Sequence, residues 1–573
     1  MSKTSLVLFE LVAIALIVNA QKADFILYNA KVVTVDPAFH IVDSIAVNGD
    51  RILATGSRGE VAKFAGPKTR KIDLSGKTVL PGLMDSHVHS TEASMYEFDH
   101  PVPDMETVSD VLTYIKSRAA SAKPGEWIVL TQVFVTRLRD QRFPKRAELD
   151  AAAPHNPVYF GTGPDASVNS LALKLSGIDK NFKIPAGKAW RIERDPNGEP
   201  TGILRNCSGL VKTKTGEKLP TEADRLQRLK MLLADYNAVG ITSISERNLN
   251  DQGIELYRQL RDKNELNCRV YVMYSVDAQM SVPEIEEKML SASRSPLHHY
   301  DKMLWVRGIK TFMDGGMLTG SAYMLKPWGV SKIYSITDPN YRGMRYIDAE
   351  KLRQIARFAL EHELQYTAHA VGDGAVNAMV TAYSEIDKEF PVRASRPCIT
   401  HANFIAPEDM EKIKRLGIVL DLQPSWLWLD GATLLRQFGD TRMARFQPYK
   451  SLFDDGIVVG GGTDHMQKIG SLRSINPYNP FLGMWITLSR RPRSMDRPLN
   501  PQQRITREQA IRLYTTNNAY LMFAEKEKGS LEAGKLADLI VLDRDILTCP
   551  MDDIRKIQVE QTYLGGRLVH ERR

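Results

Sequence analysis

Short apolar segments of strand length alternate with helix-period segments over most of this 573-residue chain. The apolar segments after residue 239 are Gly240–Ile244, Arg269–Met273, Val306–Phe312, Gln365–His369, Pro397–His401, Ile418–Leu422 and Ile457–Gly461. An eighth strand precedes His87, and Ala349–Glu361 and Pro407–Leu416 show the helical period between strands. This alternation is typical of a parallel α/β sheet, and eight strands favour a TIM-like (β/α)8 barrel.

Strand-like segments of a different kind lie at the two ends of the chain. They are Phe25–Tyr28, Lys31–Val35 and Ser44–Val47 near the beginning, and Asp538–Asp543 and Glu560–Leu564 near the end. A single hydrophobic core does not serve a chain of this length. We therefore predict a composite β-sandwich from residues 21–80 and 527–573, and a barrel over 81–526. Residues from about 95 to 235 break the strand–helix alternation and are predicted to form an insertion after the first barrel strand.

The first twenty residues have the pattern of a secretory signal peptide. Lys3 precedes the apolar segment Leu11–Val18, and Val18-Asn19-Ala20 offers small residues for cleavage after Ala20. This pattern predicts a secreted or periplasmic protein, with a buried N-terminal helix as the alternative. The apolar segment is short for a bilayer span, so no stable membrane insertion is expected.

Charge and cysteine content narrow the classes of partner. The formal net charge is +8 and the pI about 9.0, with lysine and arginine spread along the chain. No basic segment with interleaved aromatic residues is present, so a nucleic-acid partner is not indicated. The four cysteines form neither a CxxC motif nor a disulfide framework, which leaves one incidental bridge open. A homo-oligomer also stays open.

Polar residues lie on or just after five of the predicted barrel strands. They are His87 and His89 after the first strand, Lys310 on the fourth, His369 on the fifth, His401 on the sixth and Asp464 after the eighth. Strand residues two apart share a face, and the carboxyl ends of barrel strands meet at one mouth. Each residue alone has a structural explanation, such as core packing or helix capping. Together they predict a site for a divalent metal ion, because imidazole and carboxylate ligands suit Zn²⁺, Mn²⁺ or Fe²⁺.

Two longer motifs carry a family resemblance. Pro81–His89 is similar to the entry motif of the amidohydrolase superfamily, and Gly529–Asp543 is similar to its exit motif. The chain resembles most closely the amidohydrolase-3 group of YtcJ-like and N-substituted formamide deformylase-like proteins, over residues 24 to 570. The motifs of that narrower group are Asn169–Leu173, Gly198–Gly202, Asp314–Gly316 and His369–Asp373.

The resemblance implies a role for each of the six residues. His87 and His89 would bind the more buried ion, and Asp464 would contact the same ion and act as base. His369 and His401 would bind a second ion. Lys310 falls where many members carry a carboxylated lysine that bridges two ions. The resemblance therefore implies one or two divalent ions, with zinc as the first candidate.

The site together with this resemblance implies a metal-dependent amidohydrolase that cleaves a non-peptide C–N bond of a small molecule, either an amide, an N-formyl group or a cyclic amide. A metal-bound water reaches a pKa of about 7 and so supplies hydroxide. Asp464 would take a proton and pass it to the leaving nitrogen, and His401 would help to hold the developing oxyanion. The alternatives are an ester or lactone hydrolase with the same site, and a non-catalytic binding protein on the same fold.

Three positions depart from the pattern of the narrower group. No histidine stands shortly before Asn169, and Asn206 and Gly374 occupy places where the group often has glutamate and arginine. These departures concern the substrate pocket, so the substrate-binding residues are not predicted.

Overall fold

The computed structural model describes residues 21–185, 190–214 and 218–573. The predicted signal peptide, residues 1–20, lies outside the described residues. Within these ranges, no helix combines the length and the hydrophobicity that crossing a bilayer requires. All four cysteines are free, which settles the question of an incidental disulfide.

The chain first forms seven short strands. They are β1 (Phe25–Tyr28), β2 (Lys31–Val33), β3 (Ile41–Val42), β4 (Ser44–Asn48), β5 (Arg51–Gly56), β6 (Arg70–Asp73) and β7 (Thr78–Pro81). A sheet in the order β5-β4-β1-β6 forms one layer, with the short helix α1 (Arg58–Ala62) against it. Strands β2, β3 and β7 belong to a second layer.

The first barrel strand, β8 (Leu83–Val88), leads into the insertion. The insertion holds a five-stranded sheet in the order β12-β13-β11-β10-β9. Its strands are β9 (Ile128–Leu130), β10 (Val158–Thr162), β11 (Asp165–Val168), β12 (Arg191–Arg194) and β13 (Pro200–Arg205). The helices in this part of the chain are α2 (Ser90–Ala93), α3 (Val108–Ser121), α4 (Arg146–Ala152) and α5 (Ser170–Leu175).

Seven further parallel strands complete the barrel with β8. They are β14 (Ile241–Leu249), β15 (Arg269–Ser275), β16 (Leu304–Phe312), β17 (Gln365–Ala370), β18 (Cys398–His401), β19 (Val419–Leu422) and β20 (Val459–Gly461). They run in sequence order from β14, which pairs with β8, to β20. Backbone bonds close the sheet after β20: Asp464 N donates to His87 O at 2.8 Å and His89 N to His465 O at 2.8 Å. The predicted barrel is therefore confirmed.

Helices cover the outside of the barrel. They are α6 (Glu222–Ala238), α7 (Asp251–Asp262), α8 (Val282–Ser293), α9 (Ala349–Glu361), α10 (Asp373–Asp387), α11 (Pro407–Leu416), α12 (Pro424–Met443), α13 (Tyr449–Asp454), α14 (Pro480–Ser489), α15 (Arg507–Leu513) and α16 (Thr516–Leu521). Helix α9 shows why they form, since Asp348 caps its N-terminus and Leu352 and Ile355 are buried on its inner face. Burial of each such side chain contributes about 1.5–3 kcal/mol.

The chain ends in β21 (Leu539–Leu542), β22 (Val559–Leu564) and β23 (Arg567–Glu571). These strands join the N-terminal ones in a six-stranded sheet, in the order β23-β22-β21-β7-β2-β3. The central contact is the antiparallel pair β7 and β21, which aligns Leu80 with Ile540. Strands from both chain ends thus share one sheet, and the predicted composite sandwich is confirmed.

Candidate metal centre and active site

The barrel brings all six predicted residues to its carboxyl-end mouth. His87 lies in β8 and His89 directly after it, Lys310 lies in β16, His369 in β17, His401 at the end of β18, and Asp464 three residues after β20. Four of them are almost fully buried, whereas the side chains of His89 and His369 keep 18% and 15% of their surface exposed. The site is therefore embedded in the protein but open on one side.

Three donor atoms converge on one point. His87 Nε2 and His89 Nε2 are 3.3 Å apart, and Asp464 Oδ1 lies 3.3 Å from the first and 3.1 Å from the second. Ligands about 2.1 Å from a shared ion, at angles between octahedral and tetrahedral, are separated by about 3.0–3.4 Å. The spacing of these three atoms therefore fits a divalent metal ion.

A buried carboxylate sets the tautomer of His87. Asp421 Oδ2 accepts from His87 Nδ1 at 2.8 Å, so the proton is on Nδ1 and the Nε2 lone pair faces the cluster. Ser86 Oγ donates to Asp421 Oδ1 at 2.6 Å, and the Arg247 guanidinium lies 3.2 Å from Oδ2. Burial, followed by the charge of Lys310, holds the pKa of His87 well below its usual value. His87 is thus a neutral, oriented imidazole, the form that binds a metal ion.

The segment that carries Asp464 is fixed against β8. Asp85 accepts hydrogen bonds from His87 N at 2.9 Å, from Thr463 N at 3.0 Å and from Thr463 Oγ1 at 2.6 Å. Asp464 has a φ of 56° and His401 a φ of 79°, both in the left-handed region. Such backbone conformations cost about 1–3 kcal/mol each and persist where the surroundings enforce them. Two of the six predicted residues therefore sit in a strained, well-supported backbone.

His369 and His401 form the second half of the site. Their ring centroids are 4.5 Å apart, and the His401 ring lies 5.0 Å from that of His87 and stacks on Trp426 at 4.6 Å. His401 Nδ1 is 2.7 Å from Gln423 Oε1, which accepts, so its Nε2 carries a lone pair. Burial lowers the pKa of His369 to about 3 and that of His401 well below its usual value. Both imidazoles are therefore neutral and suited to a second ion.

Lys310 lies among these histidines. Burial, and then the charge of Arg247, lowers the pKa of Lys310 to about 7. Its charge in turn lowers the pKa of His87, His369 and His401. In the described part of the chain no side chain or carbonyl accepts a hydrogen bond from its Nζ, which lies 5.2 Å from the ring centroid of Phe312. A buried amine with a lowered pKa and without an acceptor is thus held at the mouth.

An exposed aromatic ring borders the open side of the site. Phe312, at the end of β16, is 40% exposed, and its ring centroid lies 5.4 Å from that of His369. A separate cavity of 510 Å³ lies nearby, lined by residues such as Thr91 and Asn248, but none of the six predicted residues lines it. The six predicted residues therefore lie at the mouth beside Phe312 and not in that cavity.

Several residues of the site were not singled out by sequence reasoning. Asp421, Arg247 and Gln423 orient the histidines, and Phe312 flanks them. A charged residue inside an apolar strand, as in Val419–Leu422, is a usable signal for Asp421. The partner of each residue depends on the register of neighbouring strands, which the sequence does not state.

Comparison with known proteins gives a family match. The sequence profile described as the amidohydrolase family matches residues 70–570. The chain is 28% identical to N-substituted formamide deformylase of Arthrobacter pascens, over 96% of this chain and 99% of that protein. It is 25% identical to the putative amidohydrolase YtcJ of Bacillus subtilis, over 92% of this chain and 96% of the other.

Solved structures share the fold. An uncharacterised metal-dependent hydrolase of Pyrococcus furiosus has a TM-score of 0.65 at 23% identity, covering 91% of this chain and all of that chain (100%). The atrazine chlorohydrolase of Arthrobacter aurescens, solved with zinc, has a TM-score of 0.52 at 14% identity, covering 96% of this chain and 95% of the other. At these identities the likeness establishes the architecture alone.

Proposed function

Because this chain belongs to the amidohydrolase family, we propose that it hydrolyses a non-peptide carbon–nitrogen bond in a small molecule, either an amide, an N-formyl group or a cyclic amide. The main support is the position of Asp464 Oδ1, within 3.3 Å of Nε2 of both His87 and His89 at the barrel mouth. The likeness to a protein named N-substituted formamide deformylase supports the N-formyl option.

The donor set fits divalent metal ions. We assign His87, His89 and Asp464 to one ion, and His369, His401 and Lys310 to a second where two are bound. Zinc is the first candidate, because imidazole and carboxylate ligands with no thiolate occur in its catalytic sites. When bound, the ion supplies Lewis-acid activation of water and of the substrate carbonyl.

Lys310 is suited to carry a carboxylate. Its neutral Nζ can attack carbon dioxide, forming an N–C bond and releasing one proton, which leaves a carbamate anion on the side chain. The low pKa of Lys310, about 7, provides the neutral amine. The carbamate would replace an amine that has no hydrogen-bond acceptor with an anionic ligand between the two halves of the site.

Asp464 and His401 have distinct roles in this proposal. The Asp464 carboxylate takes a proton from the attacking water and returns it to the leaving nitrogen, as base and then acid. His401 donates its Nδ1 proton to Gln423 and keeps a lone pair on Nε2. This tautomer favours the ligand role of His401 over the oxyanion role that the sequence also suggested, because a neutral Nε2 without a proton cannot donate.

Phe312 suggests the kind of substrate. Its exposed ring flanks His369, so an apolar or aromatic substituent of the substrate would pack on it while the C–N bond faces the metal ligands. A small formamide or amide with such a substituent is therefore the substrate class to test first.

The test combines metal analysis with turnover. Zinc-loaded protein is assayed by elemental analysis and with matched amide and ester substrates, next to His87→Ala and Asp464→Asn. We expect the wild type to bind metal and to cleave the amide, and we expect both variants to lose these properties. Faster cleavage of the matched ester would favour an ester or lactone hydrolase. Metal-free protein that binds ligand without turnover would favour a binding protein.

We also propose that the chain is exported and cleaved after Ala20, on the pattern of Lys3 and Leu11–Val18. Mass spectrometry of protein from the medium or periplasm should show a chain that begins at Gln21. An intact chain recovered from the cytosolic fraction alone would contradict export.

A further inference from the structure

Asp464 has a polar neighbour on the side away from the histidines. Asn476, which is 1% exposed, donates from Nδ2 to the backbone carbonyl of Asp464 at 2.7 Å and lies 3.4 Å from Asp464 Oδ2. One amide therefore contacts both the main chain and the carboxylate of the proposed base. The left-handed φ of 56° at Asp464 is a conformation that needs such support.

The orientation of the Asn476 amide is set by an arginine of the insertion. Arg137 Nη1 donates to Asn476 Oδ1 at 2.9 Å and to the carbonyl of Ile475 at 2.8 Å. With Oδ1 occupied as an acceptor, Nδ2 must face Asp464. Arg137 lies in a short 3-10 helix at Val135–Arg137, between β9 and β10.

Arg137 is held in turn from the barrel helices. Its Nε and Nη2 donate to the two carboxylate oxygens of Asp430 in α12, both at 2.8 Å. The Arg137 and Asp430 side chains keep only 6% and 4% of their surface exposed. Bidentate pairs of this kind fix geometry as well as charge. Since the Arg137 charge is compensated by Asp430, Arg137 acts on Asp464 by orientation rather than by its field.

We propose that Arg137 and Asn476 are positioning residues for Asp464, so that the insertion completes the active site. This inference rests on the proposed role of Asp464. The relay Asp430–Arg137–Asn476 holds the Asp464 carbonyl and Oδ2, and thereby directs Oδ1 to the histidine pair. A base displaced by about 1 Å can lose about 100-fold in rate. Residues that orient metal ligands commonly contribute 10–100-fold in metal affinity or activity.

A purely structural role predicts a different outcome. In that case the relay would only attach the insertion to the barrel, as another contact already does. Gln141 Nε2 of the insertion donates to Thr433 Oγ1 of α12 at 2.7 Å, without a contact to Asp464. Thr433→Val removes this attachment at nearly constant volume and is the matched control.

The decisive variant is Asn476→Asp, which keeps an acceptor for Arg137 but loses the donor to Asp464. We expect about 10–100-fold lower kcat with little change in KM, and about 10-fold weaker zinc affinity in chelator competition. Arg137→Met should show a similar loss and Arg137→Lys a partial recovery, whereas Thr433→Val should match the wild type.

Stability is followed in parallel by thermal melting. If Arg137→Met does not fold, the double variant Arg137→Met/Asp430→Leu removes both charges and replaces it. Wild-type kcat and zinc affinity in Asn476→Asp would overturn the inference. If the wild-type protein cleaves none of the amides, the proposed function fails, and the zinc affinities still decide whether the relay positions Asp464.

Discussion

Two buried lysines at opposite ends of the barrel have the same lowered pKa and different surroundings. Burial lowers the pKa of Lys310 and of Lys528 to about 7, with a nearby arginine as the next cause in each case. Lys528 lies at the amino-end base of the barrel and donates to Ser243 Oγ at 2.8 Å. Lys310 lies at the mouth among four histidines and has no such acceptor among the described residues.

The base has a charge network that is complete without a ligand. Asp538 accepts two hydrogen bonds from Arg269, at 2.7 and 2.8 Å, and one from Gly565 N at 2.7 Å. These contacts keep the pKa of Asp538 low despite burial. At the mouth, by contrast, Nε2 of His87, Nε2 of His89 and an oxygen of Asp464 face one another. A lowered lysine pKa therefore accompanies burial at both ends of the barrel. Three potential metal-ligand atoms that face one another distinguish the mouth.

The largest difference between the two ends should appear in turnover. Asp464→Asn removes the proposed base and should lower kcat by about 100- to 10,000-fold with little loss of stability. Asp538→Asn should leave kcat per folded molecule unchanged. Steady-state kinetics with folded fractions measured by circular dichroism compare the two. Equal losses would mean that the mouth is not distinguished by its chemistry.

The free energy of unfolding should depend on the charge pair at the base more than on Asp464 at the mouth. Asp538→Ala leaves Arg269 buried without its partner and should lower the free energy of unfolding by about 3–5 kcal/mol. Urea titration measures this, with Asp538→Leu/Arg269→Met as the control, because removal of both charges costs far less. A loss below about 1 kcal/mol in Asp538→Ala would show that the pair at the base is not structural.

The two lysines can be compared directly by metal binding. Lys310→Met should lower zinc content or affinity, and turnover with it, by about 10- to 100-fold, because a proposed ligand is lost. Lys528→Met at the base should leave both unchanged. Elemental analysis and mass spectrometry of the wild type, which would show the added mass of a carbamate on Lys310, complete the comparison. Full zinc content in Lys310→Met would remove Lys310 from the metal centre.

The sequence predicts the six mouth residues because each lies near the end of an apolar strand or just after it, and barrel geometry brings strand ends together. It does not predict the burial of Lys528, because that residue stands in the charged segment Glu525–Lys528, whereas Lys310 lies inside an apolar strand. In the fold the two lysines differ in their neighbours: Lys528 donates to Ser243, whereas Lys310 lies among the histidines. Those neighbours follow from strand register and from where the C-terminal segment meets the base.

The support of the site is harder to predict than its ligands. Asp421 contacts His87 although they are 334 positions apart, and Arg137 contacts Asn476 across 339 positions. The first contact depends on the stagger of β19 and β8 across the barrel interior. The second depends on how the insertion folds over the mouth. A single sequence carries no periodic signal for either contact.

The pH dependence of stability tests the lowered pKa of Lys528 at the base. Lys528 binds a proton in the unfolded state up to a pKa near 10.5 but only below about 7 in the fold. Between these values the unfolded chain binds the extra proton, so the free energy of unfolding gains about 1.4 kcal/mol per pH unit as pH rises. The destabilisation is complete below pH 7 and absent above about 10.5.

Lys528→Met should remove this dependence. Urea titrations of wild type and Lys528→Met at several pH values between 7.5 and 9.5 give the difference in slope, in which the contribution of Lys310 cancels. Parallel pH profiles of the free energy of unfolding for the two proteins would show that Lys528 remains protonated in the fold. Its pKa would then not be lowered in the way proposed for both lysines.

The smallest expected effect concerns the open rim of the mouth. Phe312→Ala should lower kcat/KM about two- to tenfold for formamides with an aromatic substituent, because the ring contact is lost, and should leave unsubstituted formamide nearly unchanged. Leu568, 42% exposed in β23 of the sandwich, provides the control Leu568→Ala. Kinetics across a series of substituents test this. If kcat/KM falls equally for both substrates, Phe312 supports the metal centre rather than contacting the substrate. The substrate-binding part of the mouth then does not extend beyond the histidines.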